Sequence, residues 1–578
     1  MRSFEDIMDR EFIKKALGVG LKSIGKKLKS VNITTCIVLL MSVVAYVSLY
    51  GVKFLNPVYV EWMLGRGDLT QQYLGWKAFR YSRWFFPIGN LDTLLWPDQT
   101  SVIFTDSIPI LAVPFKILSP ILPHDFQYFG WYGFASFILI GYFSKKILSE
   151  YIENKVYLVI STIPFIFSLV MIHRMYGHTT LSAHWILLLA FEVLFSKDRF
   201  EGRNEYIRRC VLLGYLCGSI HMYFVPMCGM ILIADVFWEF FRKDNLKEFL
   251  ANRMLGLVFY VFMALFSIWI YGGFYQISHY KVIDTSVVLG QCSMNLNALF
   301  NPRGRSVFLP DLGEYGGGQY EGFAYLGLGM IIAMFVAIAF GLYSRVRKKT
   351  LSIWKIGFIK VLTACTLELF FALSPKWTAG SRVILDLYPT NLIFKVWATF
   401  RSTGRFAWPI VYAVMLVSVI LIYDMFCKHR NWAVTIIVLI VCVQITDIHL
   451  YLSNIKDSFS HNKYKQVLQD TSFWNAVGKD DRIKHIVFVG WPDGAFDYLL
   501  AITDWCIDNH KTQNWYYWGR QPAYRSVEIS CEALTNPNDS YLFVFCDGHK
   551  VDIDAYDCFN YYETDNVILG YTGEYPPF

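Results

Sequence analysis

Leu64-Gly-Arg-Gly-Asp-Leu-Thr-Gln-Gln-Tyr-Leu-Gly-Trp76, running on to Phe104-Thr-Asp-Ser-Ile-Pro109, lies between the first and second apolar runs of a 578-residue chain. It puts Asp68 and Asp106 in one long polar loop of a sequence that is otherwise apolar. Hydrophobic residues make up 55% of the chain, aromatic residues 18% and charged residues 17%, and the mean hydropathy is +0.36. A soluble domain carries about 25% charged residues, so the composition is that of an integral membrane protein. The net charge of +7 comes from Lys and Arg clustered between apolar runs, as membrane topology requires. Nucleic acid is excluded as a partner on that ground.

Runs long enough to cross a hydrocarbon core of roughly 30 Å lie near 32–55, 125–143, 155–172, 181–196, 207–221, 222–241, 252–271, 323–343, 352–372, 409–427 and 433–450, about eleven in all. Lys14 to Lys29, Lys145-Lys146, Lys197 to Arg209, Arg242 to Arg253, Arg345 to Lys349 and Lys428 to Arg430 fall on one side of the alternating thread, which makes the amino terminus cytoplasmic. An odd number of spans sends the tail outside. The stretch 210–241 reads as two spans because Ser219-Ile-His-Met-Tyr-Phe224 and Pro226 offer a polar break.

The expected organisation is a basic cytoplasmic segment 1–31 without a signal-peptide cleavage pattern, a transmembrane domain 32–450 with a large first outer loop 56–124, and an extracytoplasmic α/β domain 451–578. In the tail, Ile486-Val-Phe-Val489 and Tyr541-Leu-Phe-Val-Phe545 read as strands around a helical pattern at 495–507. Cys506, Cys531, Cys546 and Cys558 allow three pairings there, and the sequence selects none. The expected location is multi-pass in the plasma (inner) membrane.

Within the first loop, Leu69, Tyr73, Trp76 and Phe79 form an apolar stripe, with Lys77, Arg80 and Arg83 elsewhere on the wheel. That pattern predicts an amphipathic helix in the membrane interface. Asp68 with Gln71 also fits a capping box, which would leave the carboxylate satisfying free amides. Ile108 to Leu122 reads as a second interfacial or re-entrant helix, with Asp106 or Ser107 as its cap before Pro109. Asp92, Asp98, Trp84-Phe-Phe-Pro87 and Trp96-Pro97 add acidic groups and flat apolar surfaces suited to a sugar.

Three histidines and an arginine, His173, Arg174, His178 and His184, gather at one membrane boundary, with His221 at the same depth. Each alone is an ordinary interfacial or core residue; together they favour a polar cavity able to hold phosphate or metal-bound water. Phe400-Arg-Ser-Thr-Gly-Arg-Phe-Ala-Trp-Pro409 brings Arg401 and Arg405 to the outer side, against the usual charge bias. Guanidinium groups bind phosphate oxygens in bidentate fashion, and Gly404 permits close backbone approach. Lipid headgroup anchoring is the plainer alternative. The loops Ser293 to Pro302 and Gln319 to Tyr325, with Glu314 and Glu321, offer groups for sugar hydroxyls or serve only as connectors.

Gly67-Asp68-x-x-Gln71-x-Tyr-x-Gly-Trp76, Thr105-Asp-Ser-Ile-Pro109, Ala183-His-Trp185, Met294-Asn-Leu-Asn297 and Arg401-Ser-x-Gly-Arg-Phe-x-Trp-Pro409 resemble a family of uncharacterised bacterial polytopic proteins usually grouped with the GT-C glycosyltransferases. The resemblance runs from about residue 60 to 450. It implies a GT-C-like helical fold, an acidic residue in a first outer loop with two interfacial helices, a polyprenyl-phosphate sugar as donor, and inversion at the anomeric carbon. Asp68 matches the acidic position and is the expected base, with Asp106 the looser match. Arg401 and Arg405 are expected on the phosphate. Asp106, His173, Arg174, His178, His184, His221 and Glu321 complete the expected substrate-binding set. The group's closely spaced acidic pair is absent. A divalent cation, Mg or Mn, on Asp68 and Asp106 is therefore a cofactor the chemistry admits without requiring. The acceptor, a cell-surface glycan, lipid or protein, is left open. A transporter or flippase of lipid-linked saccharides is the competing reading, and it predicts charges deep inside the spans.

Overall fold

The computed structural model describes residues 32–578 other than 197–199, 201, 243–245, 280–288, 348–356, 388–390, 428, 461–463, 491–495, 520–522 and 547–555. The basic amino-terminal segment 1–31 lies outside the described residues, as do Lys197, Lys349 and Lys428.

Apolar sequence becomes helix here because each span satisfies its own backbone polar groups, which lipid would not. The bundle helices are α1 (Ile33–Tyr50), then, beyond the first loop, α4 (Phe129–Leu148), α5 (Lys155–Arg174, broken near Ser161 and Phe167), α6 (Trp185–Phe195), α7 (Arg203–Ile220), α8 (Phe224–Arg242), α9 (Leu255–Ile270), α10 (Leu328–Val346), α11 (Phe358–Leu373), α12 (Ala407–Met425) and α13 (Arg430–Ser460). A helix stands at each of the eleven segments read as spans. Among the described residues, seven helices are long and apolar enough to cross a membrane: those at 33–50, 155–174, 224–241, 250–270, 328–346, 403–425 and 430–460. The break between α7 and α8 falls at His221, whose backbone is extended.

Small residues set how closely these helices approach. A Cβ on Gly214 would lie 2.3 Å from the Tyr260 carbonyl oxygen, and one on Gly218 would lie 2.1 Å from Ser267 Oγ. The Gly-x-x-x-Gly spacing on α7 thus seats it directly against α9.

The first loop carries α2 (Asp68–Tyr81) and α3 (Pro109–Ile117). The expectation of an interfacial α2 is corrected: every residue from Leu69 to Arg80 is buried. Its cations are enclosed as well. Arg80 donates to the carbonyls of Ser119, Leu122, Pro123 and His124, and Lys77 pairs with Asp504 at 2.7 Å and Asp508 at 2.6 Å. Both aspartates belong to the tail, which covers the face read as polar. Around α3, by contrast, Ile117, Leu118 and Ile121 are exposed.

Two short antiparallel pairs, β1 (Asn90–Leu91) with β2 (Thr100–Ser101) and β3 (Lys376–Ala379) with β4 (Arg382–Asp386), precede the tail, which builds one five-stranded sheet from β5 (His485–Val489), β6 (Thr512–Gln513), β7 (Tyr541–Phe545), β8 (Asn560–Thr564) and β9 (Val567–Tyr571), in the order β6-β5-β7-β9-β8. The strand β5 is parallel to β6 and β7, while β9 is antiparallel to β7 and β8. Ile486, Phe488, Leu542 and Val544 enter one buried cluster, and Val487, Val489, Phe543 and Phe545 enter another. That alternation follows from the two-residue period of a strand. Cys506, Cys531, Cys546 and Cys558 form no disulfide among the described residues.

Candidate functional site

Gly67, at φ 55°, takes the cap position of α2 and makes no side-chain cap bond. The capping-box reading of Asp68 therefore fails. Asp68 stands instead in the first helical turn, where the helix dipole favours its charge, and its carboxylate turns outward. His178 Nδ1 lies 2.8 Å from Asp68 Oδ2, with side chains 23% and 28% exposed. Tyr517, from the tail, also hydrogen-bonds Asp68. Burial works to raise the Asp68 pKa. His178, then Tyr517 and Arg405, outweigh that and hold it below the usual carboxylate range.

A second pair stands beside the first: His221 Nε2 lies 3.5 Å from Asp106 Oδ1. A cavity of about 20 Å³ opens there, lined by Asp106, Pro109, Gly218 and His221 among others, and it has room for a single water. Burial pushes the Asp106 carboxyl up to about 6; His178 and Arg405 oppose the shift and Asp68 adds to it. Backbone strain collects at the same place. Asp106 (φ 52°), Ile108 (φ 53°) and Tyr176 (φ 56°) are all left-handed, a conformation that costs β-branched and aromatic residues energy and marks functional sites.

The Asp106 shift gives a stability prediction. Between about pH 4 and pH 6 the folded chain keeps a proton that the unfolded chain has released, so stability falls across that window as pH rises and is flat above it. Asp106→Asn removes the penalty. Its melting temperature should match wild type near pH 4 and exceed it at pH 8, by the equivalent of about 3 kcal/mol at most. An equal melting temperature at pH 8 would contradict the burial of this carboxyl.

The two arginines expected on phosphate part company. Arg405 Nε and Nη2 each donate to Glu321 at 3.0 Å, and Arg174 Nη2 donates to the same carboxylate at 2.7 Å. Glu321 is 1% exposed. Burial works to raise its pKa, but Arg405 and Arg174 hold it well below the usual carboxylate range. The Arg405 fork is thus filled from within. Gly404 serves this contact rather than a ligand: a Cβ there would lie 2.5 Å from Gly322 Cα. Arg174, Arg405 and Glu321, expected among the ligand contacts, form a buried triad. Arg401, by contrast, is exposed and makes no hydrogen bond or ion pair among the described residues. Its charge acts on Asp106 and Tyr517.

The remaining histidines are not brought together. His184 is fully buried, 2.9 Å from Tyr412 Oη and packed on Trp408. His173 Nδ1 is 3.1 Å from Arg305 Nη2, and its ring meets Phe323. Both, expected on the substrate, pack against aromatic side chains. As for a cation, no group of three or more His, Cys, Asp or Glu side chains able to hold a metal occurs among the described residues. Asp68 and Asp106 are each engaged by a histidine. Sequence reasoning missed Tyr517 and Gly519; the aromatic run Trp515-Tyr-Tyr-Trp518 ahead of a glycine was the signal for them.

The family described as Domain of unknown function (DUF6311) matches residues 39–449, and the chain belongs to it. Comparison with curated proteins finds no match. Among solved structures, the chain is similar to the archaeal oligosaccharyltransferase AglB from Archaeoglobus fulgidus in complex with an inhibitory peptide and a dolichol-phosphate, at 12% identity over 93% of this chain and 74% of that one, with a TM-score of 0.44. It is also similar to the apo form of the Archaeoglobus fulgidus oligosaccharyltransferase, at 11% identity over 88% and 69% of the two chains, with a TM-score of 0.45. Likeness at this level carries no argument about activity.

Proposed function

We propose that the protein is a membrane glycosyltransferase that moves a sugar from a polyprenyl-phosphate donor to an acceptor hydroxyl on the extracytoplasmic side, in a topology of about eleven spans. The observation that supports this most is the Asp68–His178 pair, together with an exposed Arg401 that makes no hydrogen bond or ion pair among the described residues and whose charge reaches Asp106 and Tyr517. A base and an unpaired guanidinium at the membrane boundary suit a phosphate that cannot leave the bilayer.

Asp68 accepts a hydrogen bond from His178 Nδ1, which leaves Nε2 as the lone-pair nitrogen. An imidazole oriented by a carboxylate is a competent base near neutral pH. As the acceptor oxygen bonds to the anomeric carbon, its proton passes to Nε2. The bond from that carbon to the phosphate oxygen breaks, and its electron pair leaves with the polyprenyl phosphate. Arg401 stabilises the charge gathering on the phosphate. Asp106, facing the same space, favours the positive charge that develops on the sugar ring. A single displacement inverts the anomeric centre.

Arg401→Ala is expected to lower kcat/KM for the donor by about 10²-fold, and Arg401→Lys should recover part of it, since a point charge lacks the planar fork. Unchanged kcat/KM in the Ala variant would remove Arg401 from the phosphate.

One observation favours a second reading, transport of lipid-linked saccharides. Glu368, in α11, is fully buried, and neither of its carboxylate oxygens has a partner among the described residues. An unpaired acid within a span is a mark of a polar pathway. A liposome flipping assay with a fluorescent lipid-linked sugar separates the readings: movement without transfer supports transport.

A further inference from the structure

We infer that the tail completes the site, with Tyr517 as a positioning residue that holds the Asp68 carboxylate in register with His178. This deepens the transfer reading and rests on it. The contact belongs to a fixed seam. Trp96 N donates to Gln513 O at 2.8 Å and Gln513 N to Thr93 O at 2.9 Å, so the tail segment at β6 exchanges backbone bonds with the first loop. Three residues on, the Tyr516 hydroxyl donates to the Gln71 carbonyl inside α2. Gly519 N donates to Phe104 O at 2.7 Å. A Cβ on Gly519 would lie 3.2 Å from Phe104 O and 3.3 Å from Asp106 Oδ2, so the tail backbone runs close against the second carboxylate.

Charge and stacking lock the same seam. Arg525 reaches Asp98 at 2.5 Å, Lys77 reaches Asp504 and Asp508, and Trp96 stacks on His485 with ring centroids 3.5 Å apart. Tyr517 is thus delivered to Asp68 from a backbone pinned on both sides, at Tyr516 and Gly519. Its phenol is a donor to the carboxylate. With His178 as the other donor, two directional bonds fix the orientation that a lone carboxylate in a half-exposed site would not keep. A hydrogen bond to an ionised group is among the stronger ones in proteins.

The test is a double-mutant cycle in the full-length protein. Tyr517→Phe should lower kcat by about 10- to 100-fold with the donor KM and the melting temperature unchanged. Combined with Asp68→Asn, it should add nothing further, because the charged carboxylate that it orients is already gone. A wild-type rate for Tyr517→Phe, or a double variant slower than Asp68→Asn by the same factor, would overturn the inference while leaving the transfer reading intact. A photoreactive benzophenone side chain at position 517 gives a readout independent of activity. Crosslinking to the peptide containing Asp68 is expected, and crosslinks confined to the tail would overturn the placement. If wild type transfers no sugar but the crosslink forms, the transfer reading fails and the seam stands.

Discussion

Asp68→Asn is expected to lower glycosyl transfer by about 10²- to 10⁴-fold, with donor affinity and melting temperature close to wild type. The carboxylate does two things that an amide does not. It stabilises the imidazolium that forms when His178 takes the acceptor proton, and it fixes the tautomer that carries the proton on Nδ1. Asn keeps the shape of the side chain and an oxygen for Tyr517, so the first turn of α2, capped at Gly67, has no reason to unwind. His178→Gln should fall in the same range, and the pair together should lose little more than either alone. Steady-state rates on the four proteins check this. Losses that multiply would mean that the two residues act separately.

Glu321→Gln is expected to deprive the protein of a stable fold. Two guanidinium groups, from Arg174 and Arg405, converge on that carboxylate, and the three side chains are 4%, 6% and 1% exposed for Arg174, Arg405 and Glu321. Removing the negative charge leaves two buried cations with neutral neighbours, which costs about 3–5 kcal/mol, a large part of the 5–15 kcal/mol that typically separates folded from unfolded chains. The yield of monodisperse protein and its melting temperature should both collapse. Arg174→Gln placed on top should restore part of the loss, since it takes away one of the stranded charges. Full stability in the single Gln variant would show that the triad is not structural.

The helical segments were legible because apolar length is all that a span requires, and the His221 break because His-Met-Tyr ahead of a proline interrupts it. Threading the topology set the Asp68 loop and the histidine turns on one face, but the pairing of Asp68 with His178, and of Asp106 with His221, needed the fold. Other assignments needed three-dimensional partners. Asp68 and Gln71 have the spacing of a capping box, yet a glycine in a left-handed conformation takes the cap and frees the acid. Arg401 and Arg405 look alike in sequence. One meets Glu321 in a buried fork; the other is exposed and makes no hydrogen bond or ion pair among the described residues. The stripe on α2 reads as interfacial because its polar face is rich in Lys and Arg, but the carboxylates that cover that face sit in the tail helix Phe496–Asp508, far along the chain. The aromatic run Trp515 to Trp518 marks Tyr517 in the sequence, but only the fold pairs it with Asp68.

Glycosyl transfer from a lipid-phosphate donor at the Asp68–His178 site is open to direct measurement. The most direct test follows a polyprenyl-phosphate sugar, labelled in both the lipid and the sugar, with purified protein in nanodiscs and a pool of candidate acceptors. Wild type should release free polyprenyl phosphate in step with appearance of the label in an acceptor of inverted linkage, and Asp68→Asn should bind the donor yet release almost none. Release at the wild-type rate by Asp68→Asn, or movement of intact donor across a bilayer with no release by wild type, would contradict it.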